Sequence, residues 1–496
     1  IVAHLSELET AQLMANAGVI LGLLRNMLSP IIQGSSWTYS SVTIRRGAVI
    51  SGGGVADVRR LAIALLQRMY TLSESVGFRK NVISSLNEAM RRERPASDAE
   101  TASMFERDAL EVLKFLRGLV STEALPIVQA IEHQVYWNFY HAASPLIKES
   151  ALAVRDLLDQ HAEYQIYKQL IGFEGIFGQW EQLRRSESAW HDTDIMRRAA
   201  AHQFVAEIDD TNQSVWRDRI LLFSKTQSDD MATFPVYFEF LETLGRERPS
   251  LAFDLVTDHV EAMARFLIPL VSGLWVSSMQ TEIRTVVELW LLAGKHLSVI
   301  AKSLYKDGAR RLDTLSEVVA ISADLDDRAA LINSMAIATI LYGQGCVEAK
   351  DVFAHALRVL TKRGDVRWVE EVWFNKDFLA LVDALDTSEL NEMLANVMTL
   401  PKLNYQAEEI LYAIGKRHAQ TVIDSLMERI RTEGFQQAQT DDPDVRLESI
   451  PYHLEKLPKL LSQIPDALLT ALRRDFKDTD AGSFPYRGGG RLIKAV

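Results

Sequence analysis

Along most of this chain, apolar residues recur at spacings of three and four. Val58, Leu61, Ala62, Leu65, Leu66 and Met69 form one such stripe, and Ile283, Val286, Val287, Trp290, Leu297, Ile300 and Leu304 a longer one. Val352, Phe353, Ala356, Leu357 and Leu360 repeat the pattern, as do Ala407, Ile410, Leu411 and Ile414. This period puts the apolar side chains on one face of a helix, which must then pack against a neighbour. Alternation of the strand kind is nearly absent. Its best example, Trp37 to Ile44, is polar and β-branched and predicts an irregular connection or a small hairpin.

Prolines punctuate the pattern. Pro30, Pro95, Pro126, Pro145, Pro235, Pro249, Pro269, Pro401, Pro443 and Pro451 fall mostly between periodic runs or near their starts. A proline inside a helix removes one hydrogen bond and clashes with the preceding turn, so these positions mark boundaries. Helices of about 12 to 20 residues joined by short turns bury their stripes by stacking as hairpins. The expected fold is therefore all-α, an irregular α-superhelix of stacked antiparallel hairpins of the HEAT or tetratricopeptide kind. No clean repeat is found, and separate helical domains are the other reading. Expected divisions are an N-terminal array over 1–186 with a Ser/Gly-rich insertion near 31–57, a central array over 187–435, and a C-terminal cap with a tail over 436–496. Glu187 to Asp194 reads as a polar connecting loop. The start at Ile1 suggests a piece of a longer protein.

Hydrophobic residues at 48% and charged residues at 24% describe a folded protein with ample core. The net charge of −12 argues against a general coat for nucleic acid. One stretch runs the other way. Between Arg45 and Arg94 there are ten Lys or Arg against four Asp or Glu, including Arg45-Arg46, Arg59-Arg60 and Arg91-Arg92. Solvated helix faces, contacts to an acidic partner and contacts to phosphate all fit such a cluster. The single cysteine, Cys346, excludes an intrachain disulfide and points to a reducing, cytoplasmic setting. Ala262 to Met279 is too short and too interrupted to cross a bilayer, and reads as a buried helix pair broken at Pro269.

Searches for chemistry end without a site. Gly52-Gly-Gly54 is followed by Val55-Ala-Asp57 where a phosphate loop needs Lys and then Ser or Thr. It reads as a flexible turn, with Asp57 capping the helix that follows. His133, Trp137 and His141 share one helix face at spacings of four, but the two histidines are two turns apart, so an aromatic ridge is expected there rather than a metal site. His191, Asp192 and Asp194 read as a solvated turn, and the acid pairs Asp209-Asp210 and Asp326-Asp327 as charges beside helix starts. No nucleophile elbow, metal helix or Cys-x-x-Cys pair is present. No catalytic, metal-binding or cofactor-binding residue is therefore named, and no cofactor is expected. Among the nine tryptophans, Trp275, Trp290, Trp368 and Trp373 lie in the central and later helices. They fill the core between hairpins or, if solvent-facing, anchor a partner. The candidate partner surface is Arg45, Arg46, Arg59, Arg60, Arg91, Arg92, Trp275 and Trp368.

Ile44-Arg-Arg-Gly-Ala48, Tyr405-Gln-Ala-Glu-Glu-Ile-Leu411 and Ile450-Pro-Tyr-His-Leu454 carry a resemblance, the last two flanking Val422-Ile-Asp-Ser-Leu426. In these stretches the chain resembles the helical C-terminal regions of bacterial STAND NTPases of antiviral defence, the Avs-like proteins. The resemblance implies a sensor region, or a helical part beside it, whose effector and NTPase lie elsewhere. Expected function follows: a protein-recognition sensor or scaffold, not itself an enzyme, whose partner is a phage protein or another subunit of a defence complex, with no membrane contact. A helical nucleic-acid-associated subunit using residues 45–94, and an enzyme with a site between helices, are the alternatives.

Overall fold

The computed structural model describes residues 1–37, 42–91, 98–142, 144–171, 189–227, 234–306, 308–372, 377–437, 450–451 and 454–476. Helix accounts for 77% of it, and the fold is all-α. The chain divides into two compact units, Ile1–Asp209 with Lys225–Phe240, and Asp210–Ser224 with Leu241–Val496.

The first unit opens with α1 (Val2–Glu7), α2 (Thr10–Ala15) and α3 (Ala17–Leu28). Two strands follow, β1 (Ile31–Trp37) and β2 (Val42–Ala48), paired antiparallel from Ile31 opposite Ala48 to Trp37 opposite Val42. So the insertion expected near 31–57 contains a hairpin. Then come α4 (Val55–Leu72), α5 (Val76–Met90), α6 (Ala99–Leu119), α7 (Leu125–His141), α8 (Pro145–Leu158), α9 (Ala162–Leu170) and α10 (Ala189–Glu207). Each packs chiefly on the next helix and the next but one, as α5 does on α6 and α7, and α6 on α8. That is the logic of stacked hairpins: a stripe too wide for one neighbour is shared between two. Ser75, Asp98 and Ser144 cap α5, α6 and α8 by accepting the amides of Phe78, Thr101 and Ile147.

In the second unit the helices are α11 (Gln213–Phe223), α12 (Pro235–Glu247, whose last turns belong here), α13 (Pro249–Thr257), α14 (Leu267–Trp275), α15 (Gln280–Leu292) and α16 (Leu297–Ser303). After them come α17 (Leu312–Leu325), α18 (Arg328–Gly343), α19 (Ala349–Lys362), α20 (Trp368–Val372), α21 (Phe378–Ala384), α22 (Thr387–Val397), α23 (Tyr405–Gln437), α24 (Lys456–Leu461) and α25 (Pro465–Phe476). The same neighbour rule holds, with α18 against α17, α19 and α20 and α23 against α21, α22, α24 and α25. Near Gly245 and Gly273, α12 and α14 meet backbone to backbone. A Cβ on Gly273 would lie 2.2 Å from the Glu242 carbonyl oxygen, so neither position has room for a side chain.

Several expectations change. The long stripe from Ile283 to Leu304 spans two helices. Gly294, at φ +62°, ends α15 with its amide on the Leu291 carbonyl, while the Lys295 amide reaches the Trp290 carbonyl, closing a Schellman turn. Pro269 sits in the first turn of α14 instead of between two helices, where its missing N–H is no loss. Asp57 is not the cap of α4. That place is taken by Gly54 at φ +82°, and Asp57 lies inside the first turn. The segment expected as a polar loop ends inside helix, because α10 begins at Ala189 and so carries His191 and Asp192, while residues 187–188 lie outside the described residues. At the acid pair Asp326-Asp327, Asp327 caps α18 on the Ala330 amide, as the sequence predicts. Cys346 is half-buried. No helix among the described residues is long and apolar enough to cross a membrane.

Candidate functional site

The basic cluster comes apart when its residues are placed. Arg59 is fully buried, which removes it from any partner surface. Its spacing explains why: Arg59 stands three, four, seven and eleven positions before Ala62, Ile63, Leu66 and Tyr70, all on the buried face of α4. The guanidinium is tied to Asp108 of α6 at 2.7 Å, to the Leu28 carbonyl at 2.7 Å and to the Ala89 carbonyl at 3.3 Å, and lies over the Phe105 ring. It thus holds the ends of α3 and α5 against α6. Burial pushes the Asp108 carboxyl up, against the opposing pull of Arg59. Arg60 is exposed but pairs with Asp57 at 3.0 Å, and Arg91 pairs with Glu88 at 3.1 Å. Arg46 is exposed on β2. The Arg45 side chain and the whole of Arg92 lie outside the described residues.

Trp275 and Trp368 are also buried, so neither anchors a partner. The Trp275 indole N–H donates to Ser303 Oγ at 3.0 Å, with the Arg311 guanidinium 4.1 Å from the ring centre. Trp368 donates to Asn396 Oδ1 at 2.6 Å, and Asn396 in turn donates to the Asp365 carbonyl at 3.2 Å. Each indole is consumed by the core of the second unit, and its polar edge is satisfied there.

Exposed aromatic residues of the first unit stand instead on the hairpin and on α7. Trp37 is 77% exposed at the end of β1. The hairpin is seated by Val49, which packs on Met104 and Phe105, and by Ser51, whose amide donates to Thr101 Oγ1 at 2.8 Å. A few residues along α6, Ser103 and Glu106 line an open cleft of about 670 Å³. Trp137, Asn138 and His141 of α7 form another part of its lining, and Arg91 a third. Trp137 stacks on His141 at 5.8 Å, and Tyr136 and Tyr140 add edge contacts to the same group. The ridge read from the spacing of four is therefore present, with Trp137 and Tyr140 each about 40% exposed. Desolvation by the surrounding helix draws His133, whose surface is still partly exposed, below its ordinary value.

What this arrangement offers chemically is shape and stacking. A cleft of that volume takes a large side chain or a short peptide segment, and rings bury much area at small entropy cost. Sequence reasoning passed over Trp37. Its signal was legible: an indole set among Gly34-Ser-Ser36 and Tyr39-Ser-Ser41 has no apolar neighbours to bury it. A scan of protein-family models, a search of curated proteins and a search of solved structures each gave no match to this chain.

Proposed function

We propose that this chain is a protein-recognition region, a sensor or scaffold belonging to a larger bacterial anti-phage defence protein or complex and working in the cytoplasm. The observation that carries the reading is the aromatic-walled cleft beside α6 that bears Trp137, with the base of the hairpin whose other end bears the exposed Trp37 seated on the same helix. Aromatic anchors of this kind carry most of the affinity in protein interfaces. The sequence likeness to STAND sensor regions adds the biological setting. The nucleic-acid alternative loses much of its footing, because Arg59 is buried and Arg60 and Arg91 are each met by a carboxylate close by in the chain.

The test uses the full chain as bait in infected and uninfected bacterial cells, followed by titration with the purified captured protein. Trp137→Ala is expected to weaken that binding by about 30-fold or more, near 2 kcal/mol, with the helical spectrum retained. Binding is expected to persist at about 0.5 M salt. Infection that adds no protein partner, together with a nucleic acid as the saturable ligand and a steep salt dependence, overturns the reading.

A further inference from the structure

The hairpin is an unusual element in this fold. Two strands alone are marginal in water, and most residues of these whose exposure is described face solvent: Ile32 is 65% exposed, and Gln33, Gly34, Ser35, Arg46, Gly47 and Ala48 are exposed too. Their register determines which backbone groups are free. The Val49 amide donates to the Pro30 carbonyl at 2.9 Å, so positions 30 and 49 form a hydrogen-bonded pair. Pairs alternate in an antiparallel ladder, so 32 with 47, 34 with 45 and 36 with 43 bond inward. Positions 31, 33, 35 and 37 of β1 and 42, 44, 46 and 48 of β2 then turn their amides and carbonyls away from the hairpin. At the start of β1 this edge is closed: Ser29 Oγ accepts the Ile31 amide and donates to its carbonyl. Among the described residues no further strand pairs with the outer edge of β2.

Charge selects what can cover it. Between Glu9 and Asp57 the chain has three arginines, Arg25, Arg45 and Arg46, and no Asp or Glu, within a chain of net charge −12. Two of the three arginines ride on β2. A second copy pairing edge to edge would set arginine beside arginine, which the handling of natural sheet edges uses as a deterrent. An incoming strand with a carboxylate opposite position 46 meets the reverse situation, since opposite charges across a ladder attract and like charges repel.

We propose that the outer edge of β2 is a docking site for an extended, acidic segment of a partner protein, which adds as a third strand with its carboxylates on the face that carries Arg46. This rests on the protein-recognition reading above and names the conformation and charge of what is recognised. Backbone bonds from the outward groups of positions 44 and 46 supply the register, and Arg46 supplies the choice of partner. Trp37, at the far end of the neighbouring strand, lies opposite Val42.

A fluorescein-labelled ten-residue peptide alternating Thr or Val with Glu is the probe, titrated against the full chain by anisotropy. Its Lys counterpart and a 15-nucleotide oligo-dT serve as comparisons. The acidic peptide is expected to saturate, and to slow amide exchange at positions 44 and 46. Ile44→Pro removes an outward amide while sparing the ladder, and is expected to weaken binding about tenfold or more. Arg46→Glu is expected to do the same through charge. Ser35→Pro, the equivalent change on the β1 edge, is expected to leave affinity unchanged. Equal binding of the Lys peptide, tighter binding of oligo-dT, no saturation by the acidic peptide, or indifference to Ile44→Pro each overturn the proposal. If the captured partner of the previous experiment is lost on Trp137→Ala but kept on Ile44→Pro, recognition by the chain stands and strand addition falls.

Discussion

Arg46 and Arg59 are thirteen positions apart in one basic stretch, yet they belong to opposite kinds of environment. Arg46 stands in solvent on a two-stranded ribbon, and Arg59 is sealed between the ends of α3 and α5 and the middle of α6, with the Asp108 carboxylate and the main-chain carbonyls of Leu28, Ser29 and Ala89 around it. The tryptophans divide in the same way, Trp37 outside and Trp368 inside with its indole N–H on Asn396. The helical frame spends its polar groups on internal bonds, whereas the hairpin keeps its backbone edge and its charge available. Residue type does not separate the two cases. What separates them is the element each stands on, a helix packed among other helices for Arg59 and Trp368 and a two-stranded ribbon for Arg46 and Trp37.

The contrast is tested most severely at Arg59. Arg59→Leu leaves Asp108 buried without its partner, and is expected to lower the stability of the first unit by about 3–5 kcal/mol. Replacing Asp108 by Leu as well is expected to restore most of the loss, because the buried pair gains little net over apolar packing. Denaturant unfolding of the two variants measures both steps. If Arg59→Leu costs no more than a surface change, the interior side of the comparison fails.

A second buried ionisable group sharpens the point. Glu132 of α7 is 2% exposed, and neither carboxylate oxygen has a hydrogen-bond partner. Burial raises its pKa to about 8, with Lys168 pulling the other way. Because the folded value lies above the unfolded one, the folded state holds the proton more tightly. The stabilising contribution is complete below about pH 4.5 and is lost as pH rises to about 8. Glu132→Gln keeps the uncharged shape, so it is expected to flatten that decline and to gain on the order of 3 kcal/mol at pH 7. Thermal unfolding of both proteins at pH 5 and pH 8 reads the effect. Parallel declines in the two would remove Glu132 as its source.

The smallest expected effects come from a matched pair of indole changes. Trp368→Phe strands the Asn396 amide oxygen in the core and is expected to cost about 1–3 kcal/mol. Trp37→Ala touches no packed neighbour of the helical frame and is expected to stay within about 0.5 kcal/mol of the parent. Unfolding midpoints for the two, measured side by side, rank them. Equal losses would mean that the hairpin is part of the frame.

Much of the frame was legible from spacing alone. The stripes at 352–360 and 407–414 became buried faces of α19 and α23, because an amphipathic pattern on a long helix admits one packing solution. Reading stopped short where phase mattered more than content. The stripe drawn from Val58 lies partly off the buried face, since Val58 is 39% exposed while Arg59 takes the inner position. A charged residue in the phase of the core was passed over because charge by itself suggests surface. The cleft was not legible. Ser103 and Trp137 lie on different helices, and α6 with α7 fixes their juxtaposition only after packing.

Stacking in chain order also governs how such a unit can be assembled. From α17 to α20 each helix rests on neighbours made just before it or soon after it. During synthesis a helix therefore finds one partner already outside the ribosome and the next soon after, and the loops that must close are short. Closing entropy grows only slowly with loop length, about 0.6 kcal/mol per doubling, and here it begins from a small value. The hydrophobic faces that would otherwise attract other nascent chains are covered one pair at a time, so exposure lasts for the making of a hairpin rather than for the making of the protein.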